Sequence, residues 1–498
     1  MTDKLIRVLR LAALPAGVFT LISCASVQPV SLAVSAEALK ASDTPAISVD
    51  GTGRWFQFGQ APAPGAAWPA FAVSRFHADI DYATQAARVQ ITRRQINEPG
   101  RERPAAVDQS VDQYVVGNQA WNRAVAPTGA PAAPATAQPA AVEERAAEIW
   151  ATPQGFVRAA LANQASTRAT RDGTEVSFSV GGKARYVGLL NGRGQVERVQ
   201  TWIDNPVLGD TLVETLFSDY QDFGGLQFPA HIVRSEGGFP VLDIQVSTVQ
   251  RNPALDLAVP AEVAAARPPA VTVTSNKLAD GVYYLTGGTH HSVLIEQRDH
   301  LVLVEAPLNE ARSLAVIAKA REIAPGKPIK YVVNTHVHFD HSGGLRTLVD
   351  EGATVVTLAA NKPYLEAAWA APRTLNPDRL STSGKPARFE TFSGKHVLTD
   401  GQRAIEIDEI AGNGHNDAFA LVYLPAEKIL VEADAYTPAA ANAPVPAPAS
   451  PYTVNLYQNI LRLKLDVTQI AALHGPRAVT LADLRTAVGP AAATTAQR

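Results

Sequence analysis

A chain of 498 residues exceeds the size at which one hydrophobic core keeps growing, so two folded domains are expected. With 46% hydrophobic and 18% charged residues it has ample apolar surface to bury, which excludes a disordered or fibrous protein. The formal net charge of -3 and the lack of any basic stretch exclude a nucleic-acid partner.

The chain begins with Lys4, Arg7 and Arg10 ahead of an apolar run from Leu11 to Ile22. That run is too short to span a bilayer of about 30 Å and reads as a secretory signal over residues 1–23. It ends in Leu21-Ile22-Ser23-Cys24, which resembles the lipobox of bacterial lipoproteins. The resemblance implies an exported, periplasmic protein held at the membrane by a lipidated Cys24. No aspartate follows the anchor, and the lipoprotein sorting rule then implies the outer membrane. Small residues around Cys24 and Ser26 suit an ordinary signal peptidase too, and export follows in either case. Cys24 is the single cysteine, so disulfides are excluded and any later metal site must use nitrogen and oxygen.

Residues 47–251 read as a β-rich antiparallel accessory domain. Thr174 to Val180, Ala184 to Leu190 and Val196 to Ile203 are separated by Gly181-Gly182 and Asn191-Gly192-Arg193-Gly194, which are hairpin signals. A further pair, His231 to Arg234 and Val241 to Val246, flanks Gly237-Gly238, so at least five strands are expected. The alanine- and proline-dominated stretch from Ala124 to Ala141 reads as an exposed loop. The segment from Trp202 to Pro229 resembles the curved half-barrel of periplasmic lipoprotein-carrier proteins. A β-rich accessory domain without that role is the other reading. Residues 252–270, with prolines at 253, 260, 268 and 269, mark a linker.

Residues 271–498 form the second domain. Val282 to Leu285, Ser292 to Glu296 and Leu301 to Glu305 read as short strands. Asn309 then caps a helix carrying Leu314, Ile317 and Ile323 on one face. A buried strand follows at Ile329 to Val333, and further strands are expected at Thr354 to Leu358, Ala404 to Ile410, Ala418 to Leu424, Lys428 to Val431 and Ile470 to Leu473. Strands alternating with helices indicate an α/β layered domain.

Directly after the strand ending at Val333 stands Asn334-Thr335-His336-Val337-His338-Phe339-Asp340-His341-Ser342-Gly343-Gly344. In an extended turn His336 and His338 project to one side, while Asp340 and His341 can turn toward a second ion. Imidazole and carboxylate are donors that suit Zn²⁺. This segment resembles the His-x-His-x-Asp-His signature of the metallo-β-lactamase superfamily. His415 in Gly414-His415-Asn416, Asp434 after the strand ending at Val431, and His474 in Leu473-His474-Gly475 fall in the family's order.

The resemblance, over about 230 residues, implies an αββα sandwich and a dinuclear zinc hydrolase, with iron or manganese as the other ions such a site takes. It implies that His336, His338 and His415 hold one ion, that Asp340, His341 and His474 hold the other, and that Asp434 bridges. Asp340 and Asp434 would then also serve catalysis by moving a proton. Water activated between the ions would attack an ester, thioester, lactone or amide-type small molecule. Asp434 stands where lactam-cleaving members have cysteine or serine, whereas the run from Asn413 to Ala433 looks locally like their branch. Glu305 replaces the aspartate that commonly follows the family's early strand. His77, His231, His300 and His396 fit no such pattern, and His290 and His291 are read as structural. The competing function is a lipid- or ligand-binding envelope lipoprotein with a vestigial metal domain.

Overall fold

The computed structural model describes residues 29–125, 133–268, 270–444 and 448–489. The signal-like run with Cys24, and residues 126–132 of the alanine-proline stretch, lie outside the described residues.

The amino-terminal domain is one antiparallel sheet of 13 strands. These are β1 (Ala46–Phe56), β2 (Ala70–Asp81), β3 (Ala86–Gln95), β4 (Asp108–Val116), β5 (Gln119–Arg123), β6 (Thr136–Ala137), β7 (Ser166–Ala169), β8 (Thr174–Val180), β9 (Ala184–Leu190), β10 (Val196–Asn205), β11 (Gly209–Asp222), β12 (Gln227–Glu236) and β13 (Phe239–Arg251). Their order is β6-β5-β4-β3-β2-β1-β13-β12-β11-β10-β9-β8-β7. The first strand therefore sits mid-sheet beside the last, and the two hairpin series grow outward from that pair. Period-two burial drives it: along β11, Thr211, Val213, Thr215 and Phe217 are buried while Leu212, Leu216 and Ser218 are exposed. Helices Val142–Trp150 and Pro153–Ala162 cover one face, inserting Ile149 and Phe156. Ala87 and Val89 of β3 line the same apolar cavity as Thr201 and Ile203 of β10, six strand steps away, so the sheet wraps around the helices. The segment read as a linker is partly built into this domain. A short helix at Ala261–Ala264 buries Val263 against Tyr114 and Trp121.

The carboxy-terminal domain stacks two sheets between helices. One holds β14 (Thr274–Ala279), β15 (Val282–Thr286), β16 (Ser292–Glu296), β17 (Leu301–Val304), β18 (Ile329–Val333), β19 (Thr354–Leu358) and β20 (Arg388–Phe392), in that order. The other holds β21 (Lys395–Thr399), β22 (Ala404–Glu409), β23 (Ala420–Leu424), β24 (Ile429–Glu432), β25 (Gln469–Ala472) and β26 (Val479–Thr480). Pairing is parallel from β17 to β20 and between β24 and β25, and antiparallel elsewhere.

Strands such as Leu301-Val302-Leu303-Val304 are apolar throughout because both faces are covered. Val302 and Val304 face the core shared with the second sheet, while Leu301 and Leu303 face the helix layer at Glu310–Ile323 and Leu345–Asp350. This is an αββα sandwich. Asn309 caps the first of these helices by accepting from the Arg312 N–H at 3.0 Å. Its buried stripe is Ser313, Val316, Ile317 and Ala320, and Leu314 lies one step off it.

Candidate metal centre

β17, β18, β24 and β25 end at the same edge of the sandwich, and the polar residues that follow them meet there. After β18, the Asn334 amide donates back to the His336 carbonyl at 2.6 Å and accepts from the Thr357 hydroxyl at 3.2 Å. That ties the histidine loop to β19. A short helix, Phe339–Ser342, then turns the chain inward. Gly343 and Gly344 follow because a Cβ there would lie 1.9 Å from the Leu308 carbonyl oxygen and 2.1 Å from the Ser313 hydroxyl.

The motif residues converge with those from β24 and β25. Asp434 Oδ2 lies 3.0 Å from both His341 Nε2 and His415 Nε2, and 3.7 Å from His336 Nε2. Its other oxygen meets His474 Nδ1 at 2.9 Å. His336, His338, His415 and Asp434 form one group of ligand atoms mutually within 4.8 Å, and Asp340, His341 and Asp434 form another. The structure thus brings all seven sequence-derived candidates to one place.

It adds an eighth. His290 lies 7% exposed in a group with His341 and His474, its ring stacked on His474 at 4.2 Å between centroids. Thr289 Oγ1 holds His290 Nδ1 at 2.9 Å, and His290 Nε2 meets Asp340 Oδ2 at 3.1 Å. Its pairing across from His474 places it there, and that contact is not visible in local spacing. Its neighbour His291 bonds the Gly475 carbonyl at 2.6 Å and packs edge-on to Tyr284, a structural role. His77, His231, His300 and His396 are each paired with a carboxylate away from the centre.

The residues fit a metal on their unmet demands. His336 Nε2 and His338 Nδ1 are buried and make no hydrogen bond, and His341 Nε2 and His415 Nε2 meet only the single Asp434 oxygen that they share at 3.0 Å. Leaving the first two unpaired costs about 1–3 kcal/mol each, whereas a cation would use all four. Burial, reinforced by the neighbouring imidazoles, holds His336 well below the usual histidine range and His338 down at about 3, so both offer neutral lone pairs. Burial would raise the Asp340 carboxyl, but the His290 hydrogen bond and His341 outweigh it and keep Asp340 ionised.

Glu305, at φ 70° just past β17, is fully buried. It accepts from the Thr335 N–H at 3.2 Å, the Thr335 hydroxyl at 2.5 Å and the Asn334 amide at 3.3 Å, and it meets His341 Nδ1 at 3.2 Å. The longer acid thus reaches His341 and points its Nε2 into the cluster. Such outer partners orient ligands and tune their basicity.

A cleft of about 410 Å³ opens on the centre. Asp340, His415, Asp434 and His474 form its floor, and Tyr436, Tyr452, Gln57, Gln60 and Pro104 are among its walls. The last three come from the amino-terminal domain.

Residues 285–431 match the family model described as the metallo-beta-lactamase superfamily. Among solved structures, the chain is similar to the metallo-beta-lactamase FIM-1 from Pseudomonas aeruginosa in its mono-zinc form, at 18% identity over 47% of this chain and 100% of that one, with a TM-score of 0.34. It is similar to a metallo-beta-lactamase from Hirschia baltica at 19% identity, covering 44% of this chain and 96% of that one, TM-score 0.33. A third, from Pontibacter korlensis, matches at 17% identity over 46% and 100%, TM-score 0.33. Residues 285–431, a segment of the carboxy-terminal domain, are thus the part of this chain that matches the metallo-beta-lactamase superfamily.

Proposed function

We propose that the protein is a dinuclear metal-dependent hydrolase acting on an uncharged acyl compound such as an ester, thioester or lactone. The observation that carries this reading is the set of four buried imidazole nitrogens gathered with Asp434, of which His336 Nε2 and His338 Nδ1 have no hydrogen bond and the other two share one Asp434 oxygen. His336, His338 and His415 would hold one ion, and His341, His474 and Asp340 the other, with Asp434 shared and His290 alongside. The donor set contains only nitrogen and oxygen, which suits zinc, with iron or manganese as alternatives. Two bound divalent ions lower the pKa of water toward neutrality and polarise a carbonyl oxygen.

The chain's own residues supply the rest. Asp340, steadied on Oδ1 by Gln60 at 2.8 Å and on Oδ2 by His290 at 3.1 Å, is an ionised carboxylate at the cleft floor, placed to take up a proton. Tyr436 and Tyr452 with Ala435, Ala439 and Ala449 give the cleft apolar walls for an acyl group. Among the described residues that line it there is no lysine or arginine, which supports a neutral substrate over a phosphodiester or sulfate ester.

The test is elemental analysis of the metal-replete full chain, with a panel of lactam, thioester, lactone and phosphodiester substrates. About two metal equivalents and turnover of a neutral ester are expected. A folded chain that takes up no metal would overturn the reading.

A further inference from the structure

The amino-terminal domain does more than sit beside the metallohydrolase fold. Its segment 57–62, part of the connection from β1 to β2, runs across the loops that carry His336 to His341 and His415. The Gly59 carbonyl accepts from the Phe339 N–H at 3.1 Å, between His338 and Asp340. The Pro62 carbonyl accepts from the Asp417 N–H at 2.8 Å, two residues past His415. Phe339 leaves its own domain and packs against Phe58 and Trp68, with centroids 5.2 and 5.8 Å away. Gly59 has φ 79°, and a Cβ there would lie 2.8 Å from the Phe339 ring, so glycine alone allows this closeness.

Two contacts in this segment reach candidate ligands directly. The Ala61 carbonyl lies 2.8 Å from His338 Nε2 and also accepts from the Asn416 amide at 3.0 Å. A carbonyl oxygen can only accept, so His338 carries its proton on Nε2. The lone pair is then on Nδ1, the buried atom left without a partner. Gln60 Nε2 donates to Asp340 Oδ1 at 2.8 Å, complementing His290 on the other oxygen. A neutral amide fixes the carboxylate without cancelling the charge that would hold an ion. A lysine at this position would cancel it.

We infer that the amino-terminal domain completes the metal centre, with Gln60 as the positioning residue for Asp340 and the Ala61 carbonyl setting the tautomer of His338. This inference rests on the metal-centre reading above. It makes the occupancy of the second ion depend on a domain whose sequence carries no ligand motif. Outer partners of this kind change metal affinity by roughly 10 to 100-fold.

The test is Co²⁺ titration of the full chain, followed by visible absorption and by competition with a chelator, alongside thermal melting of the metal-free protein. Gln60→Leu keeps the size of the side chain and removes its donor. It should weaken the second Co²⁺ equivalent by about 10-fold or more and alter that ion's absorption bands. The first equivalent and metal-free melting should stay as in the wild type. Gly59→Ala, which pushes the whole segment off Phe339, should weaken both equivalents. Wild-type protein that binds two equivalents, with Gln60→Leu binding them equally well, would overturn the inference and leave the metal-centre reading standing. Wild-type protein that binds none would remove the reading on which it rests.

Discussion

Both domains bury a concentrated polar cluster, and the two are finished differently. In the amino-terminal domain Arg234 sits between Glu148 and Glu236, 3.4 Å from the latter, against Phe76, Leu242 and Ile244. Each of these three charges meets an opposite one. At the metal centre four imidazole nitrogens are buried, one oxygen of Asp434 faces three of the rings, and His336 Nε2 and His338 Nδ1 have no hydrogen bond. A buried polar group costs free energy unless it is paired. The first cluster is closed in charge, each member facing a counter-charge, with Arg234 Nε left without a hydrogen bond 3.4 Å from Glu236. The second gathers several imidazole nitrogens around one carboxylate oxygen, an arrangement that is able to hold a cation.

If the first cluster is self-sufficient, removing its counter-ion should have the largest effect of any of these substitutions. Arg234→Leu leaves Glu148 and Glu236 facing each other in an apolar setting, and breaking a buried ion pair in this way costs about 3–5 kcal/mol. Chemical denaturation at neutral pH measures this as a lower midpoint for the amino-terminal transition. Metal content per folded chain should not change. A loss of metal without loss of stability would mean the two clusters are coupled and the contrast between them fails.

The second cluster should respond in the opposite way. Asp340→Asn keeps the shape, and an oxygen for Gln60 to donate to, but removes the charge. Turnover of whichever ester the panel identifies should fall by about 10²-fold or more, with melting of the metal-free protein nearly unchanged because Asp340 lies outside the core. His77→Ala, which breaks an Asp50–His77–Asp79 bridge in the other domain, is the control and should leave turnover intact. Full activity in Asp340→Asn would place the chemistry elsewhere.

The carboxy-terminal domain was legible because its chemistry is local. His336 to His341 lie within one turn of chain after an apolar strand, Asp434 and His474 each stand just past a strand end, and His415 lies in the loop between β22 and β23. His290 was not legible, because what recruits it is a bridge to His474, 184 residues away. Gln60 and Ala61 were still less so: one acts through a neutral amide and the other through a backbone carbonyl, neither of which leaves a compositional trace. In the amino-terminal sheet the hairpins with paired glycines read correctly, at Thr174–Val180 and Ala184–Leu190. The early strands were not assigned one by one, because stretches such as Arg93-Arg94-Gln95 in β3 put long polar side chains where apolar alternation would announce a strand. Arg93 lies over the Trp55 ring, 3.3 Å from its centroid, so its stem and guanidinium do the covering that an apolar residue would do elsewhere.

The smallest of these effects tests whether the closed cluster is closed at every pH. Burial raises the Glu236 carboxyl to about 7, with Arg234 pulling it down and Glu144 and Glu148 pushing it up, against 4.5 in an ordinary setting. A group whose folded value is raised favours the folded state while protonated, and it loses that contribution as pH rises through the window from 4.5 to about 7. Glu236→Gln mimics the protonated form at all pH values. Between pH 5 and pH 8.5 the wild type should therefore lose about 2 kcal/mol relative to the variant, from the linkage of a single carboxyl. Denaturant midpoints for the two proteins should nearly coincide at pH 5 and separate at pH 8.5, with the variant the more stable. The reverse order at pH 8.5 would mean that the Glu236 carboxylate is a net stabiliser beside Arg234. The amino-terminal cluster would then be held by its charges, and its closure alone would no longer set it apart from the metal centre.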